Sequence, residues 1–382
     1  MSKAGIYIHI PFCSGKCFYC DFYSGPASHD AMDAYTRALC AHIASTTGAP
    51  QADTVYFGGG TPSYLGTENL IRILGAVRGA FSLESGAQIT LEANPGDICV
   101  QAGMPDDAEK ALSRLREAGF DRISFGVQSA HDAELSMLGR RHSFLQAEKA
   151  VESAKKAGFS DISLDLMYAL PGQTMEAWLA SVDAVLSLAP THISCYALTL
   201  SPASRLNALS SSIPDEDVQS EMYLAMVQKL ADAGFAQYEI SNFARPGFFS
   251  RHNVKYWTRA PYFAFGPSAH GFDGSVRYAW ADDTAAYIRG EYRYKEYIPL
   301  SFRDRAEEAL MLSLRMTQGI ELASYARAFS QEEGDFAKIL NKYVPAGFVL
   351  HEGGRYALTP KGMFVSDYIL AELFGAIKER NA

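Results

Sequence analysis

A chain of 382 residues with 48% hydrophobic and 20% charged side chains has the make-up of an ordinary globular protein, long enough to bury a large core. Its net charge of −9 argues against a nucleic-acid partner, because phosphate binding calls for basic surface. No run approaches the ~18 uncharged apolar residues of a membrane span, and residues 1–12 contain neither an apolar signal core nor a cleavage site; a cytoplasmic protein is expected, reaching a membrane only peripherally through a partner.

The first predicted strand, residues 5–10, runs into Pro11-Phe12-Cys13-Ser14-Gly15-Lys16-Cys17-Phe18-Tyr19-Cys20-Asp21-Phe22. The spacing C-x3-C-x2-C places three soft ligands on one loop. Iron–sulfur clusters take cysteine thiolates, and a cubane has four irons. Three thiolates leave one iron open to a small molecule that binds through an amine and a carboxylate. S-adenosylmethionine has both, and it supports radical chemistry. The competing reading is a structural zinc ion with His9 or Asp21 as fourth ligand, although the spacing is not that of the common zinc ribbons and fingers. The remaining cysteines, Cys40, Cys99 and Cys195, stand singly, as in a reducing compartment where a free thiol serves as a small hydrophobe.

Further predicted strands at 54–57, 88–92, 122–127, 161–167 and 192–198 alternate with amphipathic stretches near 31–46, 67–81, 106–118, 143–157, 174–188 and 215–233. Six strand–helix repeats predict parallel strands joined by right-handed crossovers. The expected fold class is α/β, a partial (β/α)6 barrel of TIM type over residues 1–241. Chemistry in such a barrel gathers at the C-terminal ends of the strands. Those ends carry the cysteine loop, Gly58-Gly59-Gly60-Thr61-Pro62, Glu92-Ala93-Asn94, Gly126-Val127-Gln128, Asp165 and Tyr196, so one shared pocket is predicted. Three consecutive glycines suit backbone gripping a ligand, whereas a tight turn needs only one. Glu92 reads either as an acceptor for a ligand ammonium or ribose, or as a cap or salt-bridge partner. Gln128, Arg140 and Asp165 point to the same face, each weak evidence alone, and Arg140-Arg141-His142 also reads as a solvated loop.

Residues 237–241 suggest one more strand. Residues 242–300 form an aromatic, glycine-rich segment with His252-Asn253-Val254-Lys255-Tyr256-Trp257 and Gly266-Pro267-Ser268-Ala269-His270-Gly271. Loops this aromatic are usually functional or cover something apolar. A lone histidine is a poor predictor of ligation, so His252 reads first as a packed lid residue; the alternative is an axial iron ligand, with Tyr256 and Trp257 flanking a flat macrocycle. Residues 301–382 predict helices near 303–316, 321–328 and 332–342, a hairpin at 347–358 turning on Gly353-Gly354, and a last helix at 361–378. That is a small helical, winged-helix-like domain whose balanced charge does not suit DNA.

Residues 8–13 with 17–22, 56–63, 124–129, 165–168 and 170–173 together resemble the radical S-adenosylmethionine proteins close to oxygen-independent coproporphyrinogen III oxidase, and the likeness covers nearly the whole chain. The oxidases themselves look like C-x3-C-x2-C-x-C, and Phe22 stands at the position of their further cysteine. The run H-N-x-x-Y-W, here His252, Asn253, Tyr256 and Trp257, is similar to that of the heme-chaperone branch. The resemblance implies a 4Fe-4S cluster on Cys13, Cys17 and Cys20. It implies S-adenosyl-L-methionine contacts from Tyr7, Tyr19, Gly59, Gly60, Thr61, Glu92, Gln128, Arg140 and Asp165, and heme at His252. It further implies that heme is passed to heme-requiring respiratory apoproteins, by a monomer or a cluster-dependent homodimer, without conversion of coproporphyrinogen. Ser250 stands where several relatives have cysteine, so that position offers no thiol for covalent heme attachment. Coproporphyrinogen III dehydrogenase is the alternative activity, with a heme-degrading radical methyltransferase a more distant one.

Overall fold

In the computed structural model, which describes residues 3–48, 50–97, 105–202 and 204–378, the predicted repeats become strands and helices with nearly the expected limits. Cys99 lies outside the described residues. Strands β1 (Ala4–Ile10), β2 (Ala52–Gly59), β3 (Leu83–Ala93), β4 (Arg122–Gln128), β5 (Asp161–Tyr168) and β6 (His192–Ala197) are parallel and lie side by side in chain order. The crossovers carry α1 (His29–Ala44), α2 (Thr67–Ala80), α3 (Pro105–Ala118), α4 (Asp132–Met137) with α5 (Phe144–Lys156), and α6 (Met175–Ser187); α7 (Glu216–Asp232) follows β6. Helix starts are marked by side-chain caps at Ser28, Ser143, Thr174 and Asp215, each a contribution of about 1 kcal/mol. At Ser143 the cap is reciprocal, with Gln146 reaching back.

Alternation along β1 sets the two faces of the sheet. Ile6, Ile8 and Ile10 are fully buried with Leu39 and Ile43 of α1 in the main core. Tyr7 and His9 point the other way, into the concave interior. The sheet remains open and continues beyond both edges of the six strands. A hairpin of β7 (Ala236–Glu239) and β8 (Asn242–Ala244) pairs antiparallel with β6.

The aromatic segment is not the loop region its composition suggests. It folds into α8 (Arg251–Trp257), then β9 (Tyr262–Phe265) parallel to β1, then antiparallel β10 (His270–Phe272), β11 (Val276–Trp280) and β12 (Tyr294–Pro299), with α9 (Thr284–Ile288) before the last. Short runs broken by glycine disguise strands whose aromatic side chains fill the sheet faces.

The C-terminal residues build a second core from α10 (Phe302–Arg315), β13 (Ile320–Glu321), α11 (Leu322–Phe329), α12 (Glu333–Asn341), β14 (Val349–Glu352), β15 (Arg355–Leu358), α13 (Pro360–Phe364) and α14 (Ser366–Gly375). The hairpin turns on Gly353 and Gly354 at φ 57° and 78°, the left-handed pair that a two-residue hairpin loop requires. The single last helix expected at 361–378 is broken at Val365. This unit is tied to the barrel through Arg315, whose guanidinium lies 2.8 Å from the fully buried Glu239 carboxylate. Among the described residues no helix is long and apolar enough to cross a membrane.

Candidate functional site

The C-terminal strand ends surround a cavity of about 360 Å³, with Cys13, Cys17 and Cys20 all in its wall. The cysteine loop is held at both ends. The Cys13 amide donates to the Gly25 carbonyl at 3.0 Å, and that of Gly25 to Pro11 at 3.1 Å. Phe18 packs with Leu138, Met167 and Leu206 in a satellite core, and its amide donates to Leu138 at 2.9 Å. Phe18 therefore anchors the loop, while Tyr19 lines the cavity.

The three thiols are near enough that charge on Cys17 or Cys13 opposes ionisation of Cys20, after burial as the larger cause. The Phe22 backbone bond and the Lys16 ammonium offset this in part; the Arg140 guanidinium lies 3.6 Å from Cys17 Sγ and also donates to the Gly126 carbonyl. The solvated-loop reading of residues 140–142 therefore holds for Arg141, which is exposed, and not for Arg140 or His142. Arg141 donates to the Ser14 carbonyl at 2.8 Å, and buried His142 meets the Val127 carbonyl at 3.2 Å. Among the described residues no three His, Cys, Asp or Glu side chains converge on a point suited to one metal ion.

Gly59, Gly60, Thr61, Glu92, Gln128, Arg140 and Asp165 all reach this cavity. The glycines have a further reason to be there. A Cβ on Gly60 would lie 2.6 Å from the Phe12 carbonyl oxygen, and one on Gly59 2.6 Å from the His9 ring. Amides of Gly60 and Thr61 donate to Ile10 and Phe12 at 2.8 and 2.7 Å, binding the glycine turn to the root of the cysteine loop. Gln128 has φ 70°, rare for a side-chain-bearing residue, and the β4–β5 register slips between Gly126 and Gln128. That irregularity turns Gln128 to the cavity, as bulges do beside functional sites.

Glu92 accepts from the Tyr56 hydroxyl at 2.6 Å. Burial raises its carboxyl to about 7, against the Tyr56 bond and with the help of the Asp165 charge. Burial also raises Asp165, which Ser124 approaches at 3.2 Å.

A second, larger cavity of about 650 Å³ lies against the first, and the two share Phe22, Glu92 and Tyr196. Its wall includes Tyr7, Tyr56, Tyr256, Trp257 and Tyr262, with Lys295 and Arg315 as cations. Tyr7, expected beside S-adenosylmethionine, therefore faces the second cavity and not the first. Phe22, at the position of the oxidases' further cysteine, is 62% exposed between them.

His252 is fully buried and lines neither cavity. Its Nδ1 lies 2.9 Å from Thr54 Oγ1, its ring contacts Tyr7, Tyr56 and Tyr256, and burial holds its pKa down to about 3. Asn253, Tyr256 and Trp257 of the same motif do reach the second cavity. Sequence reasoning missed the place of His270, Lys295 and Arg315 in the wall of the second cavity. The first was visible only as part of a glycine-rich run, and the other two arrive through sheet extension and domain docking, which no local pattern encodes.

A family model for the Radical SAM superfamily matches residues 7–185, and one for the HemN C-terminal domain matches residues 300–365. The Heme chaperone HemW of Bacillus subtilis (strain 168) is 34% identical over 383 residues, spanning 97% of this chain and 98% of its own. That of Escherichia coli (strain K12) is 36% identical over 381 residues, spanning 97% of each. Coproporphyrinogen III oxidase (HemN) from Escherichia coli, a radical SAM enzyme of known structure, superposes with a TM-score of 0.81 at 20% identity, covering 97% of this chain and 89% of that one. At that identity the likeness concerns the fold.

Proposed function

On the premise that this chain belongs to the HemW family of radical SAM proteins, we propose that it binds heme and hands it to heme-requiring apoproteins. In this reading Cys13, Cys17 and Cys20 hold a 4Fe-4S cluster, and the smaller cavity takes S-adenosylmethionine. The cluster and S-adenosylmethionine, when bound, supply one-electron chemistry. The chain's own residues do the positioning. The Gly59–Gly60 backbone and Glu92 offer acceptors to an ammonium or ribose, Arg140 sets positive charge beside the thiolates and a ligand carboxylate, and Gln128 and Asp165 complete the wall beside it.

The observation that carries the reading is the second cavity. It is large, walled by eight aromatic rings, furnished with cations, and continuous with the cysteine cavity at Phe22, Glu92 and Tyr196. A porphyrin needs apolar faces for its ring and cations for two propionates. Phe22 adds apolar wall where a thiol would have brought redox chemistry. The protein works in the cytoplasm and meets membrane-bound respiratory acceptors at the surface.

The test is anaerobic titration of the cluster-reconstituted protein with heme, then mixing with an apo-heme protein. A saturable Soret shift that moves to the acceptor is expected. Absence of saturable binding contradicts the proposal.

A further inference from the structure

Three histidines surround the second cavity, and their surroundings differ. His9 lines it but is 4% exposed and engaged at both nitrogens, Nδ1 with the Tyr7 hydroxyl at 3.1 Å and Nε2 with the Tyr23 carbonyl at 3.2 Å. His252 does not line it. Tyr7, Tyr56 and Tyr256, all in ring contact with His252, are themselves the cavity wall, so His252 sits one side-chain layer beneath the surface. His270 opens β10, is exposed, lines the cavity, and makes no side-chain hydrogen bond among the described residues.

We propose that His270, rather than His252, supplies the ligand to iron when heme occupies the aromatic cavity, an inference that rests on the heme-carrier reading. An accessible imidazole with a free lone pair is the standard protein ligand of heme iron. The second cavity's lining contains no cysteine or methionine to compete. Its tyrosines Tyr7, Tyr56 and Tyr256 are held as neutral phenols by burial, which disfavours phenolate ligation. The cavity is also built for a polar guest. Asn242 lines it, is 2% exposed, and leaves its Oδ1 without a partner. Trp257 Nε1 is likewise unpartnered. Lys295 and Arg315 stand ready for carboxylates, at present paired with Asp282 and Glu239. In this arrangement His252 is a positioning residue: its ring supports Tyr56 and Tyr256 from behind, and Thr54 fixes its orientation.

The experiment is hemin titration of the full-length protein, followed by absorption spectroscopy, for wild type, His270→Ala, His270→Met and His252→Ala. His270→Ala is expected to bind roughly tenfold or more weakly, a loss of about 1.4 kcal/mol or more, with a displaced Soret band that added imidazole restores. His270→Met is expected to give a third spectrum, that of sulfur ligation. His252→Ala is expected to keep the wild-type band position at saturation. A wild-type band and affinity in both His270 variants overturn the assignment, as does loss of the band in His252→Ala alone. Failure of wild type to bind hemin saturably would instead sink the heme-carrier reading itself.

Discussion

Cys17 and Glu92 both line the smaller cavity, and each carries a prediction at the scale of one side chain. In the proposed reading, removing one of the three thiolates leaves two irons of the cluster without protein ligands. Cys17→Ala is therefore expected to lose most of its iron and its broad visible absorption after anaerobic reconstitution; retention of both would mean that Cys17 is not a ligand. For Glu92 the folded carboxyl sits near 7 against an ordinary 4.5. Its stability contribution is intact below pH 4.5 and is lost as pH climbs through 7, because a charged carboxylate is disfavoured in that site. Glu92→Gln is expected to gain on wild type in thermal denaturation as pH rises from roughly 5 to 8, by at most about 3 kcal/mol and less where cavity water screens the charge. A difference independent of pH would show that Glu92 is not perturbed.

At the scale of elements, the sequence was legible wherever local pattern and burial agree. Helix limits from apolar periodicity fall within two residues of those observed for α1 to α3 and α5 to α7, because each has one apolar face on the sheet, and α1, α5, α6 and α7 start at a side-chain cap. The strand ends that carry the site were legible for the same reason. The aromatic segment was not, since strands of three to five residues leave too little alternation to detect. Nor was the second duty of the glycine run, which depends on how close β1 and the cysteine loop approach. Two glycine substitutions separate these roles. Gly60→Ala drives a methyl group into the Phe12 and Ile10 carbonyls and is expected to destabilise by about 2 kcal/mol or more, lowering iron content with it. Gly75→Ala, within α2 and open to solvent, is expected to stabilise by about 1 kcal/mol. Thermal melts of both, with iron analysis, check the pair.

Across the whole molecule, the two cores meet through several polar contacts, among them Arg277 with Glu308 and Thr317 with Tyr238, and Arg315 serves both the junction and the second cavity. Its removal strands the buried Glu239 carboxylate, which among the described residues keeps Asn242 and the Ser241 amide as partners. Arg315→Ala is expected to cost roughly 3 kcal/mol in denaturant unfolding and to weaken hemin binding; unchanged stability would mean that the junction does not depend on this pair. The larger claim is that a radical SAM scaffold with two adjoining cavities here serves carriage rather than conversion. Anaerobic incubation of the cluster-reconstituted protein with S-adenosylmethionine, a reductant, and either heme or coproporphyrinogen III tests it most directly. Stoichiometric heme binding with coproporphyrinogen left intact is the predicted result; protoporphyrinogen formation without saturable heme binding would contradict it.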